Sequence, residues 1–258
     1  MRDRLLGDIV PLSASSLDTW LRCRREFLAS QLLGVPESDE GFSPDQGLLV
    51  HDLLRHVHQN GSCNDPDHVA GVLAAHSLEG SSAIAGFIER HARRCPPDAG
   101  VGEHEVERAR FHRLPPPMFM ATGRIDAIWR HRGLLDARDY KTGRPFTERV
   151  ADDPRARLQV WLLAPLARRE GLRLRLRYEF LAAEVDDDPE PFEPDDDDLE
   201  AIEEELRGVV AAIAAEDRFA GINDANLCKF CRFRSLCPDS AARGVPVWPV
   251  PVGVEARA

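Results

Sequence analysis

Within GRIDAIWRHRGLLDARDYKTG, residues 123–143, two β-like runs flank Arg132-Gly133. If those two residues make the turn, opposed positions sum to 265 and Asp126 falls directly across from Asp139. Directly opposed side chains bring their Cβ atoms about 4.5–5.5 Å apart. Lys141, two residues beyond Asp139, shares its face. Two carboxylates and an amine are thus gathered on one side of a sheet. Like charges opposed in this way cost stability unless solvent or a cation relieves them, so the spacing asks for exposure or a metal. A solvated hairpin edge with chance acids is the plainer account, and a three-residue turn would slip the register and spoil the pairing. Lys141 and Lys229 are the only lysines among 33 bases. A rare residue beside two carboxylates invites a functional reading, although a composition that favours Arg throughout explains the scarcity equally well.

The second set of reactive residues is sulfur. Six cysteines occur, at Cys23, Cys63, Cys95, Cys228, Cys231 and Cys237. Cys228-x2-Cys231-x5-Cys237 is a compact thiolate trio, and a tetrahedral site needs a fourth ligand. Zinc and iron-sulfur centres both accept four cysteines. The opening MRDRLLGDIV carries no secretory core, so a disulfide framework is not expected. Arg232 and Arg234 beside Phe230 and Phe233 suit a nucleic-acid backbone and its bases, or equally the packing of the knuckle itself.

The elements that must position these groups follow from periodicity. Ser15 with Asp18 three residues on marks a helix start within 12–34, with Leu17, Trp20, Leu21, Phe27 and Leu28 on its apolar face. Ser43-Pro44-Asp45-Gln46 opens a second helix, 43–60, which carries His51, His56 and His58. Residues 61–100 read as short helices and loops. The period then changes to two, with strands expected at 103–112, 118–130 and 133–141. Asp153-Pro154 starts a helix bearing Gln159, Leu162, Leu163 and Leu166, with a kink expected at Pro165. The alternation in 172–180 gives a strand with one apolar face (Leu172, Leu174, Leu176, Tyr178, Phe180) and one cationic face. An acidic helix (195–220), a Cys knuckle (226–238) and a Pro-rich tail (239–258) complete the order. The expectation is one domain over 1–238: an α/β fold with a mixed central sheet flanked by helices, a catalytic core at 101–185, a helical cover and a Cys-rich flap.

With 33 Lys+Arg against 44 Asp+Glu the formal charge is -11, which on its face disfavours a nucleic-acid partner. Thirteen of those acids lie in residues 186–205, and the rest of the chain is left at +2. Charge therefore does not exclude DNA. No apolar run approaches the roughly 20 residues of a membrane span, so no membrane partner and a cytoplasmic location are expected.

Gly123-Arg124-Ile125-Asp126 followed by Asp139-Tyr140-Lys141-Thr142-Gly143 resembles the core of the PD-(D/E)xK nuclease superfamily, and the DYKTG form resembles its RecB/AddB branch. The resemblance runs over residues 12–238 and implies a restriction-endonuclease-like core. It also implies Mg or Mn held by Asp126, Asp139, the Tyr140 carbonyl and, through the segment Gly47-Leu48-Leu49-Val50-His51, His51. A histidine ligand tilts the choice toward manganese. Gly47, one turn before His51, would leave room for the hairpin or a metal. Lys141 is the implied catalytic amine, and Gln159 stands in the family's Gln-x-x-x-Tyr segment, where Leu163 replaces the Tyr. The branch also implies a 4Fe-4S cluster joining Cys23 to Cys228, Cys231 and Cys237, with zinc as the alternative metal; Cys63 and Cys95 are left as ordinary thiols. The implied function is a metal-dependent DNA nuclease, an exonuclease on single strands or DNA ends, in recombination and repair. Any helicase would be a separate protein, because no GxxxxGK[ST] loop is present. The alternatives are a CRISPR adaptation-type nuclease and a non-catalytic DNA-binding or scaffold protein on a degenerate nuclease fold.

Overall fold

The structure, a computed structural model, describes residues 9–36, 45–60, 63–78, 82–95, 102–112, 118–183, 187–229 and 231–241. In chain order its elements are β1 (Ile9–Ser13), α1 (Ala14–Arg22), α2 (Arg24–Phe27), a π-helical turn (Leu28–Leu32), α3 (Asp45–Asn60), α4 (Pro66–Ala75), α5 (Ser82–Arg94), β2 (Glu103–His112), β3 (Met118–His131), β4 (Leu134–Lys141), a 3-10 turn (Val150–Asp152), α6 (Pro154–Glu170), β5 (Arg173–Phe180), α7 (Asp196–Ala215) and α8 (Ala225–Cys228). The described residues fall into two compact units, one drawn from 43–110 and 121–206, the other from 1–42, 111–120 and 207–258.

The larger unit is mixed α/β, as expected. β2 pairs with β3, β3 with β4 antiparallel, and β4 with β5 parallel. Arg132 and Gly133 both have positive φ, 50° and 74°, the backbone of the two-residue turn whose twist suits a hairpin. The register is the one that turn dictates, from His131 opposite Leu134 to Ala127 opposite Arg138. Returning to pair β5 parallel to β4 needs a crossover, and α6 supplies it. Asp153 caps α6 by accepting from the Arg155 amide at 2.9 Å, Pro154 takes the first turn, and Gly171 at φ 67° ends it. The helix continues through Pro165, where a kink was expected, with that residue on the exposed side.

β4 is buried along its whole length except Lys141, because helices and strands cover both its faces. α3 supplies one cover: Val50, Leu53 and Leu54 pack with Ile84 and Ile88 of α5 against Trp129 and Tyr140. The expected cap at Ser43-Pro44 lies outside the described residues. The weakly patterned stretch 61–100 holds α4 and α5.

In the smaller unit, Ser13 rather than Ser15 caps α1. Its hydroxyl accepts from the Ser16 amide at 3.1 Å while the Ser16 hydroxyl accepts from the Ser13 amide at 2.7 Å. The helix expected through 12–34 is interrupted: Cys23 is extended (φ -157°, ψ 112°) and separates α1 from α2. Trp20 and Phe27 meet edge to face at 5.3 Å, and Trp20 meets Phe219 at 6.3 Å. The Pro-rich tail lies outside the described residues from 242 onward.

Candidate functional site

The hairpin register carries the chemistry. One step beyond the Ala127–Arg138 pair stand Asp126 and Asp139, at the end of the hairpin away from the turn. Asp126 Oδ2 accepts from the Tyr140 amide at 2.8 Å. His51 reaches the same point from α3: Nδ1 is 3.3 Å from Asp126 Oδ1, and Nε2 is 3.0 Å from the Tyr140 carbonyl oxygen. Lys141 Nζ sits 2.7 Å from Asp139 Oδ1, and Gln159 of α6 donates to Asp139 Oδ2 at 3.1 Å. His51, Asp126, Asp139, Tyr140, Lys141 and Gln159 are therefore one connected cluster within the larger unit.

The pocket is arranged for positive charge. Burial works against ionising Asp126, yet the hydrogen bond and charge of His51, the Tyr140 amide and Lys141 hold its carboxyl below the usual range. Asp139 moves the other way: burial and then the Asp126 charge raise it, with Lys141 and Gln159 opposing. Burial disfavours the charged form of His51, but Asp126, Asp139 and the Tyr140 carbonyl raise its pKa overall. His51 answers to a carboxylate and a carbonyl that would equally suit a divalent cation. The fit extends to Gln159 Oε1, an oxygen buried without a hydrogen-bond partner among the described residues. Asp126, Asp139, the Tyr140 carbonyl and His51 are a donor set compatible with magnesium or manganese.

One expectation about spacing needs correcting. A methyl group at Gly47 would meet Thr142 Oγ1 at 3.5 Å, an ordinary contact, so crowding does not require glycine there. Gly123 is the tight position, since a Cβ would come within 2.7 Å of Leu162 Cδ1. Leu163, in the place of the family's Tyr, is fully buried in the core at 0% exposure. Phe146 escaped notice in the sequence: it is 54% exposed, packs at 5.9 Å on Tyr178 and lies 5.0 Å beneath Arg155. Tyr178 also lies 4.7 Å below the Lys141 ammonium and donates to Asp153 at 2.8 Å. The signal was available in KTGRPF, an aromatic residue close after the motif lysine.

In the smaller unit, Cys23, Cys228, Cys231 and Cys237 line a single cavity together with Arg22 and Phe233. The extended backbone at Cys23 interrupts the helix at the cavity wall. Burial raises the thiol of Cys231 to about 11 and also raises that of Cys237. Four sulfurs gathered from the two ends of the chain are a donor set that an iron-sulfur cluster or a zinc ion would accept. Cys63 and Cys95, expected to be unrelated thiols, share a cluster with two histidines in the larger unit.

The PD-(D/E)XK nuclease superfamily model matches residues 11–238, and the chain belongs to that superfamily. Nucleases of this superfamily use divalent metals. A search of curated proteins finds no match. Among solved structures, that of SSO0001 is 18% identical, with 88% of this chain and 85% of that chain covered and a TM-score of 0.40. A protein described as a "Putative exonuclease" from Eubacterium rectale is 13% identical, with 78% and 79% covered and a TM-score of 0.46. No helix among the described residues is long and apolar enough to cross a membrane.

Proposed function

We propose that this chain is a Mg- or Mn-dependent DNA nuclease of the RecB/AddB type, acting as an exonuclease on single strands or DNA ends in recombination and repair. The observation that carries the reading is the convergence of Asp126, the Tyr140 carbonyl and His51, with Lys141 paired to Asp139 beside them. Asp126, Asp139, Tyr140 and His51 hold the metal. When bound, such an ion activates water and neutralises charge on the scissile phosphate. Lys141 is oriented by Asp139 and by the Tyr178 ring, so that its ammonium stands ready to position the attacking water and stabilise developing negative charge. Gln159 fixes the Asp139 carboxylate. Phe146 and Arg155 offer an exposed ring and a cation for an unpaired base and its phosphate.

Cys23, Cys228, Cys231 and Cys237 hold a 4Fe-4S cluster of structural role, supported by their shared cavity. Binding such a group to residues about 200 positions apart closes a long loop and stabilises the unit. A separate helicase supplies any unwinding. The test is anaerobic cleavage of end-labelled single-stranded and duplex DNA with added Mg or Mn, comparing wild type with Asp139→Ala and Lys141→Ala. Activity in the wild type alone supports the assignment; equal activity in all three contradicts it. Brown protein that loses its colour in Cys23→Ser supports the cluster, and colourless protein holding zinc in that cavity contradicts it.

A further inference from the structure

Two helices of the larger unit end in the same way. The last turn of α3 carries His58, and Cys63 follows just past the helix end; the last turn of α5 carries His91, and Cys95 follows immediately. The spacings His58-x4-Cys63 and His91-x3-Cys95 let each helix present an imidazole and a thiol to one point. One ligand atom from each of the four lies within 4.8 Å of every other. The two Nε2 atoms are 2.8 Å apart, and Cys95 Sγ is 3.9 Å from His58 Nε2. Zinc bonds of about 2.0–2.1 Å to nitrogen and about 2.3 Å to sulfur set tetrahedral ligands about 3.3–3.8 Å apart. The two separations bracket that range.

Its surroundings fit a closed site. His58, Cys63 and His91 are buried, at 5%, 5% and 0% exposure. Trp129 lies 5.4 Å from the His58 ring, and Tyr140 lies 5.2 Å from that of His91. Behind His91, Nδ1 stands 2.7 Å from Glu179 Oε2, a carboxylate with no solvent exposure. A proton held on Nδ1 by that carboxylate leaves the Nε2 lone pair directed into the cluster, the arrangement found behind metal-ligating histidines. Charge also balances. A divalent ion on two thiolates and two neutral imidazoles is neutral, while Glu179 is matched by Arg138 and Asp136 by Arg138 and Arg177.

We infer that His58, Cys63, His91 and Cys95 bind a structural zinc ion that ties the end of α3 to the end of α5 behind strand β4. Two soft sulfurs and two imidazole nitrogens in a buried pocket select zinc over the hard cations suited to the hairpin. The inference does not depend on nuclease activity. It is separate from the cysteine cavity of the smaller unit, and the test must keep the two apart.

The full chain carrying Cys228→Ser and Cys231→Ser, expressed with added zinc, is assayed by elemental analysis. About one zinc per chain is expected, and it is expected to be lost when Cys63→Ser and Cys95→Ser are added. In the same Cys228→Ser/Cys231→Ser background, stripped protein titrated with Co(II) is expected to show tetrahedral ligand-field bands with charge transfer from two sulfurs. That second measurement stands even if the four-cysteine variant does not fold. The inference is overturned by absence of zinc from the Cys228→Ser/Cys231→Ser protein, by zinc that persists without Cys63 and Cys95, or by octahedral cobalt spectra. A Cys63–Cys95 disulfide found by mass spectrometry of alkylated native protein would equally overturn it.

Discussion

Tyr140 divides two unlike ligand clusters of the larger unit. Its carbonyl meets His51 beside the carboxylates of the hairpin, while its ring packs on His91 beside two thiols. On the carbonyl side the side chains of His51, Asp126 and Lys141 remain 25%, 13% and 23% exposed. On the ring side His91 is sealed. One cluster is partly open, oxygen-rich and charged, the other closed and sulfur-bearing; the metals proposed for them would exchange ligands at the first and hold shape at the second. α3 serves both, since His51 and His58 are seven residues, about two turns, apart and so share a face.

The largest expected effects come from breaking the open side alone. Asp139→Ala or Lys141→Ala should lower the DNA cleavage rate by at least about 100-fold, the scale of losing an electrostatic partner in a reaction site, while zinc content by elemental analysis stays unchanged. Metal removal should separate the two clusters next. Brief chelation should abolish cleavage reversibly, with activity restored by Mg or Mn, whereas prolonged stripping that removes zinc should lower the melting temperature in calorimetry. Glu179→Gln tests the closed side from behind: competition with a chromophoric chelator should show zinc affinity weakened by about 10–100-fold. Gln159→Ala should reduce cleavage less than Asp139→Ala does, because it removes one hydrogen bond to the carboxylate and leaves the carboxylate itself in place.

The smallest effect belongs to neither cluster. Burial disfavours the charged form of Asp153, but Arg155 and the Tyr178 hydroxyl hold its carboxyl below the usual range. A carboxyl with a depressed folded-state pKa stabilises fully above its unfolded value and loses that contribution as the pH falls through the folded one. Asp153→Ala should therefore cost about 1 kcal/mol in urea unfolding near neutral pH, and the difference from wild type should shrink toward zero in acid.

The open side was the legible one because its geometry is local. A two-residue turn sets the register of a hairpin, so Arg132-Gly133 was enough to oppose Asp126 to Asp139, and the motif around them pointed to His51 and Gln159. The closed side was not legible, since its two ligand pairs are separated by more than twenty residues and the thiols and His91 fall in 61–100, the stretch read only as short helices and loops. Alternation also misleads in a strand covered on both faces. Arg138 and Asp136 sit at positions that an amphipathic strand would give to solvent, and Glu179 lies on the strand face read as cationic; all three are buried in a charge network. At Cys23 a continuous apolar pattern concealed a break in the helix. The mixed α/β core, by contrast, followed from the change of period near Glu103 and the strand after α6.

The most direct test of the account is cleavage of end-labelled DNA, under anaerobic conditions and across a Mn titration, by wild type and by Asp139→Ala with matched zinc content. The account predicts cleavage that rises with Mn in the wild type and is absent in the variant at every concentration. Equal Mn-dependent cleavage by both proteins would contradict it, because the reaction would then not depend on the carboxylates that the hairpin brings together.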